Sequence, residues 1–204
     1  DLKIAVIEGD DIFGSLDSFM GLGQQFSNLS NGKSFDVIRD NVYSANVYID
    51  SFTIAEALAM GADIVICGRV SDPGLVVGPC IFEFGIKKDD YDMLGAATVA
   101  GHILECGAQT TGGNHSSWYD IEDFSNLGYP IAEIKENGIF DIIKPPKTGG
   151  LINRHVVTEQ ILYELGDPKC YISPDVCVDF TSIRLVDKGN DVVRVDNVKG
   201  FCPT

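Results

Sequence analysis

Apolar positions fall in short runs broken by acidic or glycine-rich turns. The chain opens on LKIAVIEGDD, an apolar run that breaks straight into acidic turn residues and predicts a strand. Further on, SANVYIDSFTIAEALAMGADIVICGRVSDPG strings together a strand end at 47–49, a short helix and a second strand. Thr53 and Glu56 fit a capping box opening that helix, and Gly61 fits its closing glycine. DIVICG is a continuous, β-branched run, the pattern of a strand buried on both faces. Helix, glycine, buried strand and polar loop in this order predict a βαβ unit with a parallel sheet.

The later pattern changes character. GLVVGPCIFEFG reads as helical despite Pro79. In DDYDMLGAATVAGHILECGAQ, the acids Asp89, Asp90 and Asp92 suit a helix N-terminus, and apolar positions continue to Cys106. IAEIKENGIFDIIK predicts a hairpin about Asn137-Gly138, and SIRLVDKGNDVVRVDNV another with Gly189-Asn190 at its turn. TGGLINRHVVTEQILYELGDP predicts a glycine loop feeding a helix that stops at Gly166 before Pro168. The fold class is therefore α/β: parallel buried strands with flanking helices, three-layer-like, and antiparallel hairpins toward the C-terminus. One domain spanning 1–204 is expected, and the abrupt opening strand suggests a longer parent chain.

Composition narrows the partners. At 204 residues roughly 70% of the extended-chain surface can be buried, so neither disulfide nor metal is required for stability. The net charge of −15 argues against nucleic acid or an anionic membrane surface as main partner, because both repel such a chain. None of the six cysteines forms a CxxC pair, and several sit in apolar runs, which favours a reduced, cytoplasmic setting. No apolar stretch approaches the length of a membrane span, and no signal-peptide pattern is present. A homo-oligomer stays open.

In open parallel sheets, ligands gather beyond the carboxyl ends of the strands. The first strand delivers Glu8, Asp10 and Asp11 there; the second delivers Arg69, Ser71 and Asp72. Arg69 suits a carboxylate or phosphate, and the acids a cation or a proton. Asp72 before Pro73 equally suits a turn or cap. If 97–107 is helical, His102, Glu105 and Cys106 share one face, so a carboxylate could orient an imidazole. Zinc would need third and fourth ligands at a recognisable spacing, and none stands there, so no metal is expected. A His on a helix full of Val, Ile and Leu is also what core packing looks like. GAQTTGGN then brings Gly112, Gly113 and Asn114, and KTGGLIN brings Thr148, Gly149 and Gly150 before a helix, where an anion would be welcome. Neither stretch is a P-loop or a GxGxxG.

GADIVICGRVSDPGL, AATVAGHILECGAQTTGGN, LGYPIAEI, KTGGLINRHVVTEQILYELGDP and YISPDVCVDF, in this order, resemble the acyclic terpene utilisation (AtuA) family. The resemblance covers about 46–180. It implies a chain forming the central portion of a longer protein, with a segment before Leu2 and a small domain after Thr204. It also implies a role in breakdown of acyclic terpenoids such as citronellol and geraniol, whose intermediates are coenzyme A thioesters. Arg69, Asp72, His102, Glu105, Cys106, Gln109, Gly112, Gly113, Asn114, Thr148, Gly149, Gly150, Glu159 and Gln160 lie in the matching blocks. His115 and Cys202 depart from the family pattern.

Two functional readings follow. In the first, the chain is an enzyme of hydratase, lyase or hydrolase type on a small acyl-CoA or organic-acid substrate. Arg69, Gly112, Gly113, Thr148, Gly149 and Gly150 bind the anionic group. His102, supported by Glu105 or Asp72, moves the proton, and Asn114 orients substrate. No cofactor is identifiable. In the second, the chain is a non-catalytic scaffold or ligand-binding subunit of a catabolic assembly, and its glycine loops are packing devices. Convergence of the loops at 69–72, 107–114 and 148–153 on one cleft favours the first reading, and their placement on different faces favours the second.

Overall fold

The computed structural model describes residues 1–203. β1 (Ile4–Ile7) and β2 (Ile64–Cys67) pair in parallel, Ile4 opposite Ile64 and Ile7 opposite Cys67. Between them run α1 (Leu16–Gly21), 3-10 turns at Phe35–Val37 and Arg39–Asn41, and the crossover helix α2 (Ser51–Ala59). α2 packs on both strands, and the strands alternate between half-buried and exposed residues. Ile4, Val6, Ile64 and Ile66 remain 42–63% exposed. The burial of DIVICG on both faces is thus corrected: a two-stranded pair with its crossover helix hides one face. The single bridge Ile49–Val70 extends the pairing beyond the strand end read at 47–49.

Local capping differs from expectation too. α2 starts before Thr53, with Asp50 as its cap accepting from the Thr53 N–H at 3.2 Å. Asp175 anchors the same helix end by accepting from the Ser51 N–H at 2.8 Å and the Ser51 hydroxyl at 2.6 Å. Those two carboxylates satisfy donors that a helix N-terminus leaves unpaired. Gly61, left-handed at φ +79°, follows the helix end as expected.

Two further helices form the centre. α3 (Gly74–Phe84) carries Pro79 within it and ends on left-handed Gly85. α4 (Tyr91–Leu104) is buried from Leu94 to Ile103. Leu94, Val99 and Ile103 have no exposed surface, and each such side chain contributes about 1.5–3 kcal/mol on burial. α2, α3 and α4 stack in succession, and α4 presents its other side to antiparallel sheets.

The expected hairpin about Asn137-Gly138 joins β3 (Ile131–Ile134) to β4 (Phe140–Ile143). α5 (Arg154–Leu162) follows, then β5 (Tyr171–Ile172), β6 (Cys177–Asp179), β7 (Arg184–Gly189), β8 (Val192–Asp196) and β9 (Lys199–Phe201). The sheet orders are β3-β4-β8-β7 and β5-β6-β9, antiparallel throughout. Between β7 and β8 the turn centres on Asn190 (φ +53°) and Asp191 (φ +57°), one position later than Gly189-Asn190. Both central φ values are positive, as in the tight hairpin turns that match strand twist. Asn153 caps α5 by accepting from the Val156 N–H at 2.9 Å. That helix stops at Leu162, ahead of Gly166, because Tyr163 turns extended and Glu164 left-handed. No helix among the described residues is long and apolar enough to cross a membrane.

A candidate active site at the carboxyl end of the second strand

Asp10, just past β1, ties the two strand ends together. Its carboxylate accepts from the Arg69 N–H at 2.9 Å and from the Asn46 side-chain amide at 2.8 Å. These hydrogen bonds hold the Asp10 carboxyl below the ordinary range, that from Arg69 most strongly. A Cβ at Gly68 would overlap this carboxylate, so the close approach requires glycine. Asp10 thus shapes the loop that carries Arg69, Ser71 and Asp72.

That loop borders two adjoining grooves that share Asp72 and Leu75. The first, about 460 Å³, is lined by Asn46, Gly68, Arg69, Val70 and Ser71 besides the shared pair. Arg69 lies over the Tyr48 ring at 4.9 Å and donates to Asp72 at 3.2 Å. The second groove, about 540 Å³, continues between the start of α3 and the ends of α4 and α5. Leu75, Val76, Leu104 and Tyr163 give it apolar walls; Asp72, Glu105 and Glu164 bring three carboxylates, and Cys106 lies beside them. α4 can come this close to the loop because Gly101 packs on Pro73: a Cβ there would stand 2.7 Å from the Pro73 Cα.

Glu105 is a perturbed acid at the groove wall. Although the residue is exposed at the helix end, its side chain is only 15% exposed. Burial, then the negative charges of Asp72 and Glu164, push its carboxyl up to about 7. His102, one turn earlier, is buried with 1% of its surface exposed. Its Nε2 donates to the Ile161 carbonyl at 3.2 Å, which fixes the tautomer and leaves Nδ1 as an acceptor. Nδ1 has no hydrogen-bond partner, and Glu105 Oε1 stands 3.5 Å away. Burial keeps the imidazole below its usual pKa, hence neutral near pH 7. Tyr171 and Phe180 box the ring edge-on at 5.3 and 5.4 Å. α4 ends at Leu104, so Cys106 leaves the shared helical face expected for it.

The glycine loops lie elsewhere. Gly112 abuts Ile121, and a Cβ at Gly113 would meet the Ala108 carbonyl at 2.8 Å. Gly149 abuts the Asp123 carbonyl, and Gly150, at φ +84°, lies against that of Thr111. The Leu151 N–H donates to the same Thr111 carbonyl at 2.9 Å, so the two loops pack on each other. Carbonyl oxygens thus face Gly113, Gly149 and Gly150. Thr148, Gly149 and Gly150 also precede the Asn153 cap instead of forming the helix N-terminus, and they line a separate polar concavity sharing no residue with the grooves. Asn114 is exposed and donates to Gln109 at 3.3 Å. The structure therefore brings Arg69, Asp72, Glu105 and His102 together, and leaves Gly112, Gly113, Asn114, Thr148, Gly149 and Gly150 apart from them.

Tyr163 and Glu164 escape sequence reading because they carry no motif; they enter the groove through the early stop of α5. His115, set aside on pattern, pairs with Glu159 through Nδ1 at 2.6 Å, and Ser116 donates to the same carboxylate. No group of three His, Cys, Asp or Glu side chains placed to hold a metal ion occurs among the described residues.

Fold and grooves define an α/β protein with an acid-lined cleft at the carboxyl end of a parallel strand. The chain belongs to the acyclic terpene utilisation family, whose model, described as acyclic terpene utilisation family protein AtuA, matches residues 1–204. No curated protein and no solved structure matches the chain.

Proposed function

We propose that this chain provides the acid–base site of an enzyme in acyclic terpenoid breakdown, acting on a small branched acyl compound. The observation that carries this reading is the Glu105 carboxyl, pushed up to about 7 at an apolar-walled groove. A carboxyl group titrating near neutrality is matched to general acid–base catalysis. His102 is a positioning residue: its unpartnered Nδ1 stands 3.5 Å from Glu105 Oε1, placed to accept a hydrogen bond from the protonated carboxyl and so favour the acid form. The apolar walls suit a branched hydrocarbon body. The negative charges of Asp72 and Glu164 disfavour a free carboxylate at the reacting end, so a neutral thioester fits better than the acid. Arg69 lies in the adjoining groove, where an anionic tail could displace Asp72 as its partner. Proton transfer of this kind serves hydration, elimination or hydrolysis.

One observation favours a second reading. The loops at 107–114 and 148–153 pack on each other and share no groove with the loop at 69–72, as expected where the glycines serve packing in a non-catalytic scaffold or ligand-binding subunit.

A thermal-shift screen of the protein against branched acyl-CoA thioesters and the matching free acids tests both. A ligand at ~100 times its dissociation constant adds about 2.7 kcal/mol. The enzyme reading expects thioesters to stabilise and to be turned over, with Glu105→Gln lowering turnover by about 10²–10⁴ while keeping the shift. A shift without turnover selects the binding subunit. Turnover unaffected by Glu105→Gln removes Glu105 from the chemistry.

A further inference from the structure

Cys170 immediately precedes β5, and Cys177 opens β6. The register sets Tyr171 opposite Val178 and Ile172 opposite Cys177. Continued by one position, it sets Cys170 opposite Asp179, two residues from Cys177 and on the same face of the hairpin. Such diagonal neighbours reach one another with their side chains. The two sulfurs are in contact at 2.7 Å, the one sulfur–sulfur contact among the described residues. Both cysteines are free, Cys170 exposed and Cys177 buried.

We propose that Cys170 and Cys177 are a thiol-oxidation site that closes reversibly into a cross-strand disulfide on reaction with a peroxide. The accessible sulfur is Cys170. Its thiol reacts with hydrogen peroxide to give the sulfenic acid and one water. The Cys177 sulfur then attacks the Cys170 sulfur, the S–O bond breaks, and the oxygen leaves with the Cys177 proton as a second water. Two thiols lose two electrons and two protons in total, and the peroxide is reduced. Cys177 suits the resolving role. Burial and its contact with Cys170 push its thiol up to about 11, so it stays protonated and unreactive by itself. Oxidation of Cys170 places an electrophilic sulfur against it.

The neighbouring residue gives the bridge a consequence. Tyr171, next to Cys170, stacks on Phe180 at 4.8 Å and meets His102 edge-on at 5.3 Å. Closing the bridge fixes the end of the hairpin that packs beneath His102.

The test is peroxide treatment of the protein followed by peptide mass mapping without reductant. The expected product is one linked species joining Cys170 to Cys177, lighter by two hydrogens and reversed by dithiothreitol. Thiol titration should show two of the six thiols lost. Cys170→Ser should abolish the link, and Cys177→Ala should leave Cys170 to accumulate as sulfenic and sulfinic acids. Circular dichroism of each variant confirms folding, and the mapping of the unmodified protein stands without them. The proposal is overturned if Cys177 stays a free thiol while Cys170 over-oxidises, or if Cys170 links to another cysteine.

Discussion

His102 Nδ1 lies 3.5 Å from Glu105 Oε1, a buried acceptor facing a carboxyl group that its surroundings keep protonated up to about pH 7. The ionised form of Glu105 is penalised by burial and by Asp72 and Glu164. Its pKa is raised in the fold, so its favourable contribution is complete below about 4.5 and is lost as pH rises to about 7. Glu105→Gln, always neutral, should therefore be more stable than the native protein at pH 8 and similar at pH 4. The shift sets an upper bound of about 3 kcal/mol, reduced by solvent at the groove mouth. Urea unfolding at the two pH values measures it; equal gaps at both would remove the perturbed carboxyl.

His102 works in the opposite direction. Its pKa is lowered by burial, so it stabilises the fold above about 6.5 and that contribution fades as pH falls below this. His102→Ala empties the box formed with Tyr171 and Phe180 and should cost about 2–5 kcal/mol. His102→Leu keeps most of the volume and has no group to protonate. It should cost less and flatten the acid limb of the stability profile. A Leu variant as acid-sensitive as the native protein would mean that other groups set that limb.

The loop after β2 separates binding from folding. Arg69 is exposed and paired at the surface, so Arg69→Ala should change stability by less than about 0.5 kcal/mol while weakening any anionic ligand. Gly68→Ala pushes a methyl group into the Asp10 carboxylate and should displace Arg69, lowering stability and ligand response together. Thermal shift with and without ligand distinguishes the two. If Gly68→Ala behaved like the native protein, Asp10 would not organise this loop.

Much of the fold was legible because it is written locally. The hairpin about Asn137-Gly138 and the helix through Leu94 and Ile103 follow from turn chemistry and periodicity. The residues of the candidate groove were legible in part. Arg69 and Asp72 follow from the rule about strand ends, and Glu105 from its spacing to His102. The place of the Thr-Gly-Gly loops was not legible, because glycine permits close approach to a ligand and to another stretch of backbone alike. Here the close partners are the carbonyls of Asp123 and Thr111. The one-sided burial of DIVICG was not legible, because an apolar run does not say which faces are covered. Contacts across long sequence separations leave no local signal, and the anchor of α2 is the clearest case.

That anchor is Asp175, separated from Ser51 by 124 positions and almost wholly buried beside it. Its carboxylate takes both the Ser51 N–H and the Ser51 hydroxyl, and burial raises its pKa despite them. Asp175→Ala leaves two buried donors at the N-terminus of α2 without a partner, at a cost of about 1–3 kcal/mol for each group. Asp175→Asn retains one acceptor oxygen and should be milder. Ser51→Ala removes only the hydroxyl, so the double variant with Asp175→Ala should lose less than the sum of the single losses. A coupling of at least about 0.5 kcal/mol is expected from a double-mutant cycle. Strict additivity would show that the helix end holds its place without Asp175, and that the contact is incidental to the packing of α2 against α3.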